Sequence, residues 1–299
     1  MAKSIWSADN IPDLKGKVII ITGSTSGIGK AGAKILAEKN ATIVMAVRNV
    51  KKGEGVAEEI KQNYSDANID VREMDLTSLE SVKNFAEEFK KNYDRLDVLI
   101  NNAGIMMCPY SKTKDDFEIQ MGTNHLGHFA LTGHLMPVLK QTEGSWVVST
   151  SSAAHKMGNI DFSDMNWENR DYNKGRAYGD SKLANIYFMY GLAERNKNDQ
   201  NAPLITAAHP GWTGTELQRH SGMMRFLNNF FAQDIEMGIL PSLRAAFDPD
   251  AKSGDYFGPR KMMEMRGYPV KVKTSTRSQD KEAAEKLWQM SEEMTGVVY

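Results

Sequence analysis

Residues 18–39 read VIIITGSTSGIGKAGAKILAEK, and this stretch decides the architecture. Its opening run, VIII at 18–21, is short, β-branched and wholly apolar, as suits a strand buried on both faces of a parallel sheet. The turn TGSTSGIG follows at 22–29, and 30–39 has the pattern of a helix. Gly23, Gly27 and Gly29 let a backbone turn tightly and come close to an anion. A helix N-terminus behind them offers free N–H groups and partial positive charge. Ser24, Thr25 and Ser26 add hydroxyl donors, and Ile28 sits between the last two glycines. The glycine intervals, four and then two residues, depart from G-x-G-x-x-G, and no G-K-[ST] follows, so this is not a P-loop. A strand–helix turn with no ligand is the plain alternative. Its place as a first βα turn points instead to a dinucleotide pyrophosphate.

Outward from that turn the pattern repeats. Apolar strand-like runs fall at 42–47, 69–74, 96–100, 145–149 and 204–208. Helical segments fall at 51–63, at 79–93 with Ser78 as N-cap, within 113–140, and at 177–196. After Pro210 the pattern loosens. Helix returns at 235–247, and a glycine-containing stretch at 254–258 suggests a last strand. Alternating strands and helices predict an α/β, doubly wound Rossmann-type parallel sheet of about seven strands with helices on both faces. With no linker, repeat or low-complexity tract, residues 1–299 are read as a single domain.

The composition is that of a globular protein: 299 residues, 41% hydrophobic and 25% charged. A formal net charge of −1 gives no field to recruit nucleic acid or an anionic membrane. Cys108 is the single cysteine, so no intrachain disulfide forms, and a reducing compartment is compatible with that. The first residues lack an apolar signal-peptide region. No uninterrupted apolar stretch approaches the roughly 20 residues of a membrane span. A cytoplasmic protein is expected.

Two further motifs carry chemistry. Asn101-Asn102-Ala103-Gly104 follows the fourth strand. Tyr178 and Lys182 stand four apart on one helix face. A free tyrosine has a pKa near ~10; a neighbouring ammonium or a positively charged ring favours its phenolate and brings it closer to the working range of a general acid/base. A hydroxyl from Ser149-Thr150-Ser151-Ser152 could hold a substrate oxygen. At the end of the second strand, which faces the adenosine ribose in such folds, stand Arg48 and Asn49 with no carboxylate. Arg48 suits a 2′-phosphate, so NADP(H) is expected over NAD(H); a solvated surface arginine is the alternative.

TGxxxGIG, NNAG and YGDSK, in that order and on those elements, resemble the short-chain dehydrogenase/reductase family over nearly the whole chain. TNHLGHF at 123–129, SKLAN at 181–185 and HPGW at 209–212 resemble its retinol-dehydrogenase-like branch. The resemblance implies hydride transfer between a nicotinamide and a carbonyl or alcohol. It implies Asn124, Ser152, Tyr178 and Lys182 as the catalytic set, with Ser151 the alternative serine. Asp75 and Leu76 would lie beside the adenine, although a plain strand-ending Asp75 fits as well. Asn102, Ala103 and Gly104 would line the adenosine and ribose, while Asn101 braces the sheet. Lys182 would hold ribose hydroxyls. Pro210, Gly211 and Thr213 would contact the nicotinamide carboxamide, and Thr215 the pyrophosphate. A homodimer or homotetramer pairing through the helices of Asn124 and Tyr178 is implied.

Other features are less decisive. Residues 211–231, rich in aromatic and methionine side chains, could cover a hydrophobic substrate or pack on the core or another subunit. The extra length at 159–176 reads as a loop near the pocket mouth. His125 and His128 lack the further ligands of a metal site, and His155 and His209 read as structural. An NAD-dependent sugar epimerase or dehydratase could share the fold and the Tyr–Lys pair, but no sizeable C-terminal substrate domain is present. A non-turning-over regulator would not need the Asn–Ser–Tyr–Lys set.

Overall fold

The structure is a computed structural model that describes residues 5–214 and 232–299. Eight strands form one sheet in the order β3-β2-β1-β4-β5-β6-β7-β8. They are β1 (Val18–Thr22), β2 (Thr42–Val47), β3 (Asn68–Glu73), β4 (Val98–Asn101), β5 (Trp146–Thr150), β6 (Leu204–Ala208), β7 (Tyr256–Lys261) and β8 (Arg266–Lys271). All neighbours pair in parallel except β7 with β8. The strand order reverses between β1 and β4, and the crevice outside the carboxyl ends at such a point is where doubly wound sheets bind ligands.

The eighth strand corrects the expectation of about seven. RGYPVK contains glycine and proline and is half exposed, so it lacks the apolar run that marks the inner strands. Proline is tolerated there because β8 is an edge strand.

Two apolar layers sandwich the sheet. On one face, α1 (Gly27–Glu38), α2 (Val50–Asn63) and α6 (Ile235–Phe247) pack onto Ile19, Ile21, Ile43 and Met45. On the other, α3 (Leu79–Asn92), α4 (Gly127–Gln141) and α5 (Lys174–Asn196) pack onto Ile20, Val44, Leu99 and Val147. Alternation along each strand sends odd and even residues to opposite layers, which is why every residue of β1 is buried. A C-terminal helix, α7 (Lys281–Thr295), is capped by Asp280 and ended by Gly296 at φ 67; it carries Trp288 into the α4–α5 side.

Local rules set the helix boundaries. Ser78 does cap α3, accepting from Ser81 N. α1 begins at Gly27, earlier than position 30, because the end of the glycine turn is already its first helical turn. α5 begins at Lys174, where Asn173 accepts from the Gly175 and Arg176 amides.

On α5, Leu183, Ala184 and Tyr187 pack in one cluster with Leu126, Met165, the partly buried Ile160 and Phe162, and the α7 residues Ala284 and Leu287.

Candidate active site

The glycine turn is built on close backbone approach. A Cβ on Gly29 would fall 2.4 Å from Gly23 O and 2.6 Å from Asn102 Nδ2, and Gly23 itself has φ 68 against Ala103. Thr22 Oγ1 accepts from the Asn102 and Ala103 amides at 2.9 and 2.8 Å, and Asn102 Nδ2 donates to Thr22 O. The end of β4 is thereby stapled to the turn after β1. Ser26 precedes α1 without capping its amides, whereas the side chains of Asn49 and Ser78 cap α2 and α3. The α1 N-terminus therefore presents uncapped donors beside a glycine cradle, and these residues fit a dinucleotide pyrophosphate. Ser24 is buried with its hydroxyl toward Ile21 O; Thr25 is half-buried at the turn.

Around that cradle the other expected cofactor residues fall as follows. Arg48 is exposed beyond β2, and Asn49 spends its side-chain oxygen on Lys52 N. Burial raises the Asp75 carboxyl, but two bonds from Thr77 and the nearby Lys114 outweigh it and hold the pKa below the usual range. Leu76 is buried against Gly127. Thr213 and Ile28 both meet the first turn of α6 at Gly238, which brings the bend after β6 beside the glycine turn. Pro210 O accepts from Thr213 Oγ1 and Gln233 Nε2, and Gly211 has φ 69. Thr215 and most of the 211–231 segment lie outside the described residues.

The second half of the site is assembled from side chains. Tyr178 and Lys182 are 5% and 3% exposed on α5, with Lys182 Nζ 5.8 Å from the Tyr178 ring centroid. The Ser152 side chain neighbours the Tyr178 hydroxyl and favours its ionised form against burial. Ser151 instead donates to Lys182 O at 2.7 Å. Lys182 Nζ donates to Thr150 O at 3.2 Å. Asn124 lies in a π-helical turn, Gly122–Leu126, ahead of α4; such turns are rare and cluster at functional sites. Its amide exchanges bonds with Ile105 N and O and donates to Ser181 Oγ, which donates to Tyr178 O. A Cβ on Gly104 would fall 3.0 Å from Asn124 Oδ1 and 3.3 Å from Lys182 Nζ, so β4, the π turn and α5 converge there.

Burial governs the ionisation. It pushes Tyr178 up to about 12, opposed by the neighbouring Ser152 side chain, and pushes Lys182 down to about 8. The ammonium was expected to draw Tyr178 downward; in the protein alone desolvation dominates and the phenol stays protonated at neutral pH. His125 and His128 are lowered by burial to about 3 and 4. They contact Ser291 and Thr22 respectively, so the two imidazoles serve different packing contacts. Asn101 bonds Thr132 and braces β4 against α4.

Sequence reading missed Ser181 and Ile105, which hold Asn124; neither residue type is distinctive alone. The loop at 159–173 lines a surface cleft of about 480 Å³ with Asp161, Phe162, Arg170, Arg176 and Lys286. None of Asn124, Ser152, Tyr178 or Lys182 lines that cleft.

Comparison with known proteins gives a consistent result. Residues 17–225 match the model of the short chain dehydrogenase family. The chain is 40% identical to retinol dehydrogenase 11 of Homo sapiens over 289 residues, covering 95% of this chain and 87% of that protein. It is 41% identical to retinol dehydrogenase 12 of Homo sapiens, covering 95% and 88%. Among solved structures, an uncharacterised protein from Mycobacterium paratuberculosis superposes with a TM-score of 0.84 at 38% identity, covering 98% of each chain. A short-chain dehydrogenase from Shigella flexneri complexed with NADP superposes at 0.61, with 26% identity, covering 82% of this chain and 97% of that one.

Proposed function

The chain belongs to the short-chain dehydrogenase family and is retinol-dehydrogenase-like, an oxidoreductase acting on CH–OH donors; within that frame we propose that it reduces a hydrophobic aldehyde or ketone with NADPH, using Tyr178 as the proton donor. The carrying observation is that buried Asn124 and Lys182 converge at Gly104, with buried Tyr178 one turn before Lys182 on α5 and the half-buried Ser152 beside it.

The neighbouring Ser152 and Tyr178 hydroxyls would each offer one donor to a carbonyl oxygen. A bound nicotinamide supplies the hydride to the carbonyl carbon. Tyr178 gives its proton to the oxygen; a phenol held near 12 stays protonated for that task. Lys182, a buried lysine near 8, would hold the ribose hydroxyls, and with Asn124, which it joins at Gly104, would restore the proton from solvent. Oxidation of an alcohol uses the same groups in reverse.

Two features support the finer reading. Arg48 stands exposed at the end of β2 without an ion pair among the described residues, as a 2′-phosphate partner would. The relatives are named for retinol, a lipophilic alcohol, and the segment expected to cover the substrate, 211–231, is rich in aromatic residues and methionine. The test is titration with NADPH and NADH followed by aromatic, aliphatic and retinoid aldehydes. NADPH binding with aldehyde-dependent loss of its absorbance is expected; binding of neither dinucleotide would overturn the reading.

A further inference from the structure

The hairpin between β7 and β8 reaches back to both walls of the site through one carboxylate. Glu264 Oε2 lies 3.2 Å from Lys156 Nζ and 3.3 Å from His209 Nε2. Lys156 belongs to the 3-10 turn Ala153–Met157, whose N-cap is Ser152. His209 immediately precedes the Pro210–Gly211 bend. The same carboxylate thus touches the serine turn after β5 and the bend after β6.

The tautomer of His209 follows from its contacts. Gly211 N donates to Nδ1 at 3.3 Å, so Nδ1 is the acceptor and Nε2 carries the proton. Nε2 has no aligned hydrogen-bond partner; the Glu264 oxygen is the anion it faces. The contact is an electrostatic one at 3.3 Å. His209 is 1% exposed, and a Cβ on Gly258 would fall 2.1 Å from its Nε2, so β7 leaves room for the ring only because residue 258 is glycine. Glu264 is ionised at neutral pH, held low by His209, against burial, and by Lys156.

The hairpin tip is strained in a way that requires holding. Met262, Met263 and Glu264 have φ of 52, 52 and 67, a region disfavoured for residues with a Cβ. Met262 and Met263 are 48% and 88% exposed, so packing does not explain the conformation. The holding contacts are the two made by Glu264, the turn bonds of Met265 N to Lys261 O and Met262 O, and the bond from Trp212 N to Met265 O. Strain that persists under such over-determination is a mark of functional geometry.

We propose that Glu264 is a positioning residue: anchored by Lys156, it orients the His209 imidazole, which fixes the Gly211 amide and hence the bend that seats the nicotinamide end of the cofactor. This rests on the reaction assigned above. Glu264 touches neither substrate nor cofactor in this account, so its effect falls on hydride-transfer geometry rather than on adenosine-side binding.

The experiment compares Glu264→Leu, Glu264→Gln, Lys156→Met and Tyr178→Phe, reading kcat with NADPH and 4-nitrobenzaldehyde, NADPH Kd by fluorescence, and the His209 tautomer by ¹⁵N-histidine NMR. Glu264→Leu is expected to lower kcat about tenfold, the scale of a sub-ångström misplacement, with Kd within about twofold, and to disturb the tautomer signal. Glu264→Gln, which keeps an oxygen toward His209, recovers most of the loss. Lys156→Met, a half-exposed site that leaves the buried ring in place, gives a smaller fall in the same direction. A normal kcat or an unchanged tautomer signal in Glu264→Leu, or a loss that Glu264→Gln does not relieve, overturns this inference alone. Full turnover in Tyr178→Phe overturns the assigned reaction and this inference with it.

Discussion

The two halves of the site are made of different material. The cradle after β1 is mostly backbone: Gly23, Gly29, the uncapped α1 amides and the Thr22–Asn102 staple. The half around Tyr178 is mostly side chain, with Asn124, Ser152, Tyr178 and Lys182 arriving from three separated elements; Asn124 is tied to the Tyr178 helix through Ser181, and Lys182 to the end of β5 through Thr150. A backbone cradle costs little to bury because its polar groups are paired or face a helix end. A side-chain cluster shifts its own ionisation, as the opposite displacements of Tyr178 and Lys182 show. Binding and chemistry should therefore fail separately when the two halves are altered.

The sharpest cut is Tyr178→Phe. Turnover should fall by about 10²–10⁴-fold, the usual worth of a positioned acid/base, while NADPH titration stays near that of the parent. Parallel loss of both would erase the distinction between the halves.

Gly29→Ala attacks the other half. Its Cβ must displace Gly23 O, a backbone atom 2.4 Å away. Dinucleotide affinity should drop by at least about tenfold, or roughly 1.4 kcal/mol, with a stability cost of about 1–3 kcal/mol from overpacking. Fluorescence titration and a melting curve measure the two; unchanged affinity would show that the turn is not the cradle.

Lys182→Met separates stability from activity. Lysine 182 has its pKa lowered by burial from 10.5 to about 8. Below pH 8 it is charged in both folded and unfolded chains, and the fold bears the whole desolvation cost. As pH rises from 8 toward 10.5 the folded form sheds its proton first and the cost fades. At roughly 1.4 kcal/mol per pH unit, methionine should stabilise the fold by up to about 3 kcal/mol near neutral pH, with the gain shrinking above pH 8, while turnover is lost. A Tm gain independent of pH would mean that ionisation is not its source.

The smallest expected effect is on Arg48→Ala. Loss of one solvent-exposed phosphate contact should reduce the preference for NADPH over NADH by about 0.2–1 kcal/mol in steady-state efficiency, without touching kcat. An unchanged ratio would place Arg48 among solvated surface charges.

Much of the cradle was readable in advance. The apolar run, three glycines and the start of a helix are local, so strand, turn and helix follow within residues 18–39. The bounds of β6 (Leu204–Ala208) and α6 (Ile235–Phe247) likewise match the apolar pattern. The edge strand β8 did not show because half of each turn of its pattern faces solvent. The C-terminal helix α7 was not assigned; its core-facing residues become meaningful only against Phe129 and Phe188, distant in sequence.

The amino-acid sequence by itself determined the repeated strand–helix order, the glycine turn and the placing of Tyr178 and Lys182 on one helix face, because each depends on residue type and spacing within a few turns of chain. Tertiary structure decided which serine meets Tyr178, that Asn124 sits in a π turn, that desolvation outweighs the ammonium at the phenol, and that Glu264 joins the walls of the site. Those outcomes depend on distances between elements far apart in sequence and on how much water burial removes, and neither quantity is carried by any local stretch.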